Sequence, residues 1–248
     1  MVTEINKILN KQSLEEMTLQ EWSTLQKLTI TRIITFNARR GSEPLKILVS
    51  DWERCLNDEW KRTEDIAAIE DPLEKLLADR LKVLYVKGKK RRRVPVLFTT
   101  EMQQSIILLN AKRDEVGVDP SNKYLFPRPT RNSRNAMRGW DVVHEVSNSA
   151  NLAKPDLVTS TKVRKHMATI LQLLDINSAE LTWITDHLGH SIDVHKNWYR
   201  QEESTIEVTK VAKILVAKDA GENFTNKKIA EIGGLSYFIF FQLKRSLT

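Results

Sequence analysis

Apolar residues recur at helical spacing near the start of the chain. Between residues 14 and 39 they fall mostly three or four positions apart, at Leu19, Trp22, Leu25, Leu28, Ile33 and Phe36. This spacing predicts an amphipathic helix over residues 14–39. Ser13 and Glu16 stand at its start with the spacing of a capping box. The β-branched residues from Thr29 to Thr35 disfavour helix locally, because their side chains lose rotamer freedom against the preceding turn.

Gly41 interrupts this pattern, and the sequence SEPLKILVSDW then resumes it. Ser42 is a suitable N-cap for a second helix, and Pro44 suits the first helical turn because its missing N–H group costs little there. Arg39 and Arg40 are therefore predicted to lie at a joint between two helices.

The period changes after residue 80. The sequences LKVLYV and RVPVLFT are rich in β-branched and aromatic residues, and KGKKRR separates them. With Gly88 available for the turn, the two runs predict a β-hairpin. Six of the seven residues from Lys87 to Arg93 are cations, so the turn of this hairpin carries a dense positive charge.

Helical patterns dominate the rest of the chain. They cover residues 100–117, 135–152 with Gly139 as a weak point, 161–175, 178–189 with Ser178 as the cap, and a short piece that ends near Tyr199. A further apolar stripe contains Val208, Val211, Ile214 and Leu215, and the last segment is rich in aromatic residues. The predicted fold class is mainly α with a small antiparallel β-sheet.

Composition is that of a folded globular protein. Apolar residues make up 41% and charged residues 29% of the 248 positions, which argues against wholesale disorder. No apolar run approaches the roughly 18 residues of a membrane helix, and the N-terminal sequence lacks the layout of a secretory signal. We therefore expect an intracellular protein, nuclear or cytoplasmic, with no membrane partner. The single cysteine, Cys55, excludes an intramolecular disulfide and is expected to pack in the core.

The charge distribution favours a polyanionic partner. The formal net charge is +7, and the cations are clustered. The hairpin patch comprises Lys87–Arg93, and the arginine patch contributes four arginines between Arg128 and Arg138. Clusters of this kind are typical of surfaces that bind nucleic acid.

Taken singly, the candidate functional side chains have ordinary structural explanations. Arg40 suits a helix end, where a cation complements the helix dipole, and Lys87 suits a solvated or nuclear-import cluster. Arg164 suits a helix surface, and His166 suits a satisfied position in the core. Tyr199 alone suits a packing role.

Three histidines lie close together in the sequence TDHLGHSIDVHKNWYRQ: His187, His190 and His195. His187 and His190 are three apart, as zinc ligands can be, yet no set of carboxylates or thiols accompanies them. On spacing alone a metal site, a packed turn and a nucleophile with its helper groups all remain open.

The order and spacing of several motifs resemble the catalytic domain of tyrosine recombinases, the phage integrase family. RRGSE resembles the family's first arginine motif, with Arg40 and Glu43 in the matching positions. Lys87 stands where the family's hairpin lysine precedes a Val-Pro pair, and YLFPR resembles its Leu-Phe-Pro segment.

The remaining motifs of the family are matched in the second half of the chain. KVRKHMATILQLL resembles the second arginine motif at Arg164, LGHS supplies His190, and Tyr199 follows nine residues later. The resemblance covers residues 18–217. The sequences of its last motifs are similar to those in recombinase-like domains of eukaryotic mobile elements such as Cryptons.

The resemblance implies cleavage of a DNA phosphodiester by the Tyr199 oxygen, through a covalent intermediate that conserves the bond energy for rejoining. Lys87 would protonate the departing 5′ oxygen. The residues that would hold the phosphate are Arg40, Arg164 and His190. No metal and no cofactor is required, and His187 and His195 would make packing or backbone contacts.

The partner implied by the resemblance is double-stranded DNA, with self-association on the DNA allowed. The cations expected to contact the DNA backbone are Lys89, Lys90, Arg91, Arg92, Arg93 and Lys165.

One departure from the family concerns the proton acceptor. A histidine commonly stands three residues before the second arginine, whereas this chain has Thr161 there. Threonine is not a base at neutral pH. Lys165 lies one helical turn further on the same side and partly compensates, whereas His166 points elsewhere.

A second departure concerns domain organisation. Family members carry an N-terminal helical domain that closes around DNA, and here only residues 1–17 precede the resemblance, so we interpret them as a remnant. The predicted divisions are this segment, a catalytic domain over residues 18–217 and an atypical tail over residues 218–248.

Three functions compete on these observations. The leading hypothesis is an enzyme that breaks and rejoins DNA strands, as in site-specific recombination or integration. The second is a domesticated DNA-binding protein that keeps the phosphate pocket without cutting, which Thr161 favours and Tyr199 disfavours. The third, a relaxing topoisomerase of the same mechanistic type, fits the recombinase-like motifs less well.

Overall fold

A computed structural model describes residues 1–11, 17–57, 63–89, 92–130, 132–173 and 178–188. The helices are α1 (Val2–Lys11), α2 (Leu19–Phe36), α3 (Val49–Leu56), α4 (Thr63–Ala67), α5 (Pro72–Arg80), α6 (Thr100–Ala111), α7 (Gly139–Ser149), α8 (Ser160–Leu173) and α9 (Ser178–Leu188). Short 3₁₀ helices occupy Pro44–Lys46 and Pro155–Leu157. The strands are β1 (Lys82–Lys87) and β2 (Arg93–Phe98), which pair antiparallel. The predicted fold class, mainly α with a small antiparallel sheet, is confirmed.

The described residues fall into two compact units. The first contains residues 1–164 and residues 186–188 at the end of α9, and the second contains the described part of residues 165–185. The cores and the candidate site described below belong to the first unit. No helix within the described ranges is both long and apolar enough to cross a membrane.

The first long helix begins later than the hydrophobic pattern predicts. α2 starts at Leu19, and Thr18 caps it: the Thr18 hydroxyl accepts from the Glu21 N–H at 3.2 Å, and the Glu21 carboxylate accepts from the Thr18 N–H at 3.1 Å. The predicted start at residue 14 is therefore wrong, because this reciprocal pair fixes the N-terminus. Ser13 and Glu16 lie outside the described residues.

The predicted helix from Ser42 is also wrong in its first half. Pro44–Lys46 forms a 3₁₀ helix, and the chain is then extended at Leu48 before α3 begins. The cause is pairing with the Leu-Phe-Pro segment: Leu125 N–H donates to Ile47 O at 2.9 Å, and Leu48 bridges Tyr124. Backbone groups that serve this bridge are not available to a continuous helix.

Other helix limits differ in smaller ways. α6 ends at Ala111, and residues 112–117 form turns that close at Gly117, whose φ is 75°. α8 and α9 begin within one residue of their predicted starts. The hydrophobic pattern does not predict α1, α4 or α5. α5 does carry a local cue, since Asp71 accepts from the N–H groups of Leu73 and Glu74 and Pro72 occupies the first turn.

Two hydrophobic clusters hold the first unit together. The larger lies among α2, α3, the hairpin, α6 and α7, where Trp52 and Phe98 meet edge to face with ring centroids 5.0 Å apart. Cys55 is buried in this cluster, as predicted. In the smaller cluster α1 packs against α2 and α6, and its buried members are Ile5, Met17, Trp22, Leu25, Leu109 and Val118.

Gly139 starts α7 instead of weakening a helix that begins at residue 135. Its backbone crosses that of Gly41 so closely that a Cβ on Gly139 would lie 2.0 Å from the Gly41 carbonyl oxygen. No side chain separates the two segments at this crossing. The start of α7 is therefore fixed to the residue that follows Arg40.

We expect Gly139→Ala to destabilise the protein by about 1–3 kcal/mol or more, because the methyl group meets rigid backbone. The gain in helix propensity, at most about 1 kcal/mol, is too small to offset the clash. Urea denaturation followed by circular dichroism measures the change. Ser149→Ala, at the exposed far end of α7, is the control and should change stability by about 0.5 kcal/mol or less. Equal stability of the two variants would contradict the close crossing.

Candidate functional site

The site is built around the turn that follows α2, residues 37–43, called here the α2 turn. Asn37 caps the helix through its N–H, which donates to Ile33 O at 3.1 Å, and Ala38 then adopts a left-handed φ of 49°. For a residue with a Cβ this conformation costs about 1–2 kcal/mol. Glu43 N–H donates to Arg40 O at 3.0 Å and closes the turn. The sharp reversal holds Arg39, Arg40 and Glu43 near the end of α2.

Arg40 and Glu43 form an ion pair within the α2 turn. Arg40 Nη1 donates to Glu43 Oε1 at 3.0 Å. The Glu43 side chain is 3% exposed, whereas the Arg40 side chain is 31% exposed. The buried carboxylate therefore fixes one side of the guanidinium, and the exposed side keeps donors that can reach a phosphate.

Arg39 is a buried cation that sequence reasoning treated only as part of a helix joint. Its side chain is 0% exposed, Nη2 donates to Pro95 O at 2.5 Å, and Nη1 lies 3.9 Å from Glu43 Oε2. Burial lowers the pKa of Arg39 to about 10; the Glu43 carboxylate opposes this, and the charges of Arg164 and Arg40 add to it. Arg39 thus stays charged at neutral pH. Two adjacent arginines in a sequence do not reveal which of them is buried.

Arg164 lies near the start of α8 and is also buried, with 2% exposure. Its Nη2 donates to Leu188 O, at the end of α9, at 3.0 Å. The charge of Arg164 acts on both Arg39 and His187. The two arginine motifs, more than a hundred residues apart in the chain, therefore converge in one cationic cluster.

His187 connects the end of α9 to the α2 turn. Its Nε2 lies 3.1 Å from Asn37 O, and since a carbonyl can only accept, Nε2 carries the proton. Burial, then the charge of Arg39, lowers the pKa of His187 to about 4; the bond to Asn37 opposes this and Arg164 adds to it. His187 is neutral at pH 7 and makes the backbone contact expected for it. Among the described side chains no three His, Cys, Asp or Glu could hold one metal ion.

We expect the depressed pKa of His187 to make the fold sensitive to mild acid. At pH values above 6.5 the residue is neutral in both folded and unfolded states. As the pH falls from 6.5 towards 4, the unfolded state binds a proton that the folded state does not, so stability falls by up to about 3 kcal/mol. Urea titrations at pH 7, 5.5 and 4.5 measure this loss.

His187→Gln is the matched variant, since glutamine can also donate to Asn37 O and does not titrate. The difference between the two pH profiles isolates His187 from the carboxylates, which titrate in both proteins. Identical slopes for wild type and variant would show that the histidine does not carry the acid sensitivity.

Lys87 ends β1 and lies opposite Arg93 in the hairpin register. Its side chain is exposed, as are those of Lys89, Arg92 and Arg93 in the same patch. The turn lies against the α2 turn: a Cβ on Gly88 would be 3.3 Å from Glu43 Oε1. The residue next to Lys87 therefore lies beside the carboxylate that pairs with Arg40.

Several predicted site residues cannot be located in this way. His190, Tyr199, Lys90 and Arg91 lie outside the described residues, and so does His195; their roles stay predictions. Thr161 is exposed at the start of α8, in the first unit. In the second unit Lys165 is half-buried and His166 is exposed.

A cleft beside the α2 turn extends the cationic surface. Its volume is about 610 Å³, and it is lined by Gly41 and Ser42 and by three cations, Lys46, Arg128 and Arg138. Trp140, 63% exposed, stands at its edge and stacks on His144 with 5.2 Å between ring centroids. Part of the arginine patch thus adjoins the Arg40 side of the site.

Comparison with known proteins gives structural matches only. No protein-family model and no curated protein matches the chain. Two solved complexes of the XerH site-specific recombinase are similar in structure. The pre-cleavage complex with difH substrate has a TM-score of 0.49 and 16% identity, covering 86% of this chain and 53% of the recombinase. The post-cleavage complex with palindromic difH substrate has a TM-score of 0.50 and 17% identity, covering 86% and 52%.

The chain spans about half the length of these recombinase chains. At 17% identity the likeness concerns the fold. The described helices and the two-stranded hairpin therefore share their fold with about half of the XerH site-specific recombinase chain.

Proposed function

We propose that the protein breaks and rejoins DNA strands through a covalent 3′-phosphotyrosyl intermediate. The observation that carries this proposal is that segments of three motifs distant in sequence lie around the α2 turn. Arg40 pairs with this carboxylate, Arg39 links it electrostatically to Arg164, and the turn next to Lys87 lies against it. A cluster with more cations than carboxylates suits the charge of a reacting phosphate.

The proposed step exchanges one phosphodiester for another. The Tyr199 oxygen attacks the phosphorus, the bond from phosphorus to the 5′ oxygen breaks, and Lys87 supplies the proton that the leaving oxygen takes up. Attack of the 5′ hydroxyl on the phosphotyrosine reverses these changes and rejoins the strand. Donors from Arg40, Arg164 and His190 hold the nonbridging oxygens throughout.

The phenol proton of Tyr199 also needs an acceptor. Thr161 does not fill this role, because its hydroxyl is not basic at neutral pH. A water molecule takes the proton instead, and Lys165, one turn along α8 from Thr161, partly compensates for the missing histidine. This substitution for the usual histidine predicts slow cleavage at neutral pH and faster cleavage as the pH rises.

Double-stranded DNA is the proposed substrate. The exposed cations Lys87, Lys89, Arg92 and Arg93 lie on the hairpin that adjoins the α2 turn, and the cleft lined by Lys46, Arg128 and Arg138 adjoins the same turn. The resemblance to Crypton-like elements supports an origin in a mobile element, a nuclear location and self-association on DNA as parts of the same proposal.

We expect DNA affinity to fall steeply with salt. If about five phosphates are neutralised, the plot of log affinity against log salt should have a slope of roughly −4 to −5. Neutralising Lys89, Lys90 and Arg91 should flatten it by up to about three units, because each lost contact removes about one released counterion. Fluorescence anisotropy at several salt concentrations measures the slope. Neutralising Lys7 and Lys75, which lie outside both patches, should leave it unchanged; an equal effect would locate the DNA elsewhere.

A suicide substrate tests the proposed function directly. Nicked duplex DNA traps the covalent intermediate, because the short fragment diffuses away after cleavage and cannot rejoin. Without a known target site, a pool of nicked duplexes with random sequence serves as the substrate. We expect an adduct that survives denaturant. Salt-sensitive DNA binding without any adduct would instead identify a non-cleaving DNA-binding protein derived from a recombinase.

A further inference from the structure

The hairpin has one strand edge that β1 does not satisfy. On this outer edge of β2, Leu97 N–H donates to Asn37 Oδ1 at 2.8 Å, and Asn37 Nδ2 donates to Leu97 O at 2.9 Å. The Asn37 amide thus matches both polar groups of Leu97. Two residues earlier stands Pro95, which has no N–H and offers only its carbonyl oxygen.

Arg39 complements Pro95 because a guanidinium has donors and no acceptor. Nη2 donates to Pro95 O at 2.5 Å from a side chain that is 0% exposed. Among the described residues, Nε and Nη1 of Arg39 have no hydrogen-bond partner. A buried charge with so few bonds is a poor source of stability, since desolvation of a charged group is costly. A role in stabilising the fold is therefore an insufficient explanation for this contact.

The contact between Arg39 and Pro95 lies close to Lys87 on the hairpin. Pro95 lies opposite Tyr85, and two residues along the same ladder Arg93 lies opposite Lys87. Two residues of strand span about 7 Å. The turn beyond Lys87 is close to the same α2 turn, since a Cβ on Gly88 would lie 3.3 Å from Glu43 Oε1. Arg39 and Glu43, from one turn, therefore hold the hairpin on both sides of Lys87.

We propose that Arg39 is a positioning residue that docks the hairpin on the α2 turn and sets the place of Lys87 relative to the phosphate held by Arg40. This role rests on the proposed function. Arg39 has no phosphate contact in this proposal, because its Nη2 donates to Pro95 O and its Nη1 lies 3.9 Å from Glu43 Oε2. The role is distinct from that of Arg40, whose side chain is partly open to solvent.

The test compares Arg39→Met with wild type in the full chain on two nicked substrates, one ordinary and one with a 5′-bridging phosphorothioate. The sulfur leaves without needing a proton, so its departure does not depend on Lys87. We expect Arg39→Met to slow adduct formation on the ordinary substrate by about 10- to 100-fold, and on the phosphorothioate by about threefold or less. DNA affinity should change by less than about threefold.

Arg32→Met is the matched control. It removes a guanidinium from α2, where Arg32 pairs with Glu101 of α6 at 3.3 Å and lies over the Phe36 ring. Both substrates should respond equally to this change. Arg39→Lys keeps the charge and a single donor group, and its adduct formation is measured on the same two substrates. It should show the same selective slowing to a smaller extent, even where the methionine variant folds poorly.

Equal slowing of both substrates by both Arg39 variants overturns the positioning role while leaving the proposed function intact. Loss of activity on both substrates in parallel with the loss of folded protein does the same. If the wild-type chain forms no adduct with either substrate, the proposed function is overturned, and the positioning role falls with it.

Discussion

Replacing Tyr199 with phenylalanine is expected to abolish the covalent adduct while DNA affinity changes by less than about threefold. Phenylalanine keeps the ring and removes only the oxygen that is proposed to attack phosphorus. The cations that are proposed to hold the DNA and the phosphate are not changed. Denaturing gel electrophoresis of the trapped complex measures the adduct, and anisotropy with the same duplex measures affinity.

Tyr85→Phe is the matched control for this variant. Tyr85 is 51% exposed on β1, and it should form adduct at the wild-type rate without its hydroxyl. Adduct that persists in Tyr199→Phe would show that another residue is the nucleophile. Mass spectrometry of the DNA-linked peptide would then identify that residue.

Lys87→Ala is expected to slow strand cleavage by about 10²- to 10⁴-fold, the usual contribution of a general acid. DNA affinity should fall by much less, about as much as loss of one phosphate contact. The difference arises because proton donation to the leaving oxygen matters only in the transition state. Single-turnover adduct formation at saturating protein separates the two effects.

The 5′-bridging phosphorothioate makes this prediction sharper. It should restore cleavage by Lys87→Ala to near the wild-type rate, because a thiolate leaves without a proton. Lys89→Ala removes an exposed cation from the same turn and should weaken binding without any such rescue. If sulfur does not rescue Lys87→Ala, the lysine is a phosphate contact and its role as general acid must be withdrawn.

Sequence pattern was sufficient for the fold class and the hairpin, and it placed the starts of α8 and α9. It was insufficient for the start of α2, because Ser13-Leu-Glu-Glu16 and Thr18-Leu-Gln-Glu21 both have capping-box spacing. Local spacing cannot decide between two such pairs. In the structure Thr18 and Glu21 form the reciprocal hydrogen bonds, so α2 begins at Leu19.

The sequence also predicted some residues of the candidate site and missed another. Motif order led to Arg40, Glu43, Lys87 and Arg164, and the structure brings these segments together. Arg39 was out of reach of the sequence, because its burial depends on the left-handed Ala38 and on a carbonyl in a strand more than fifty residues away. Long-range contacts of this kind leave no periodic trace in the chain.

The backbone contact between Gly41 and Gly139 couples the position of α7 to that of the first arginine motif. Backbone in direct contact has no side chain to absorb a displacement, so a shift at the start of α7 is passed to Gly41 and to its neighbour Arg40. Arg138 and Trp140 flank that start and face the cleft. Under the proposed function, a duplex that contacts Arg138 and Trp140 would therefore also set the position of Arg40. On that proposal, cleavage would begin only once the duplex fits this surface.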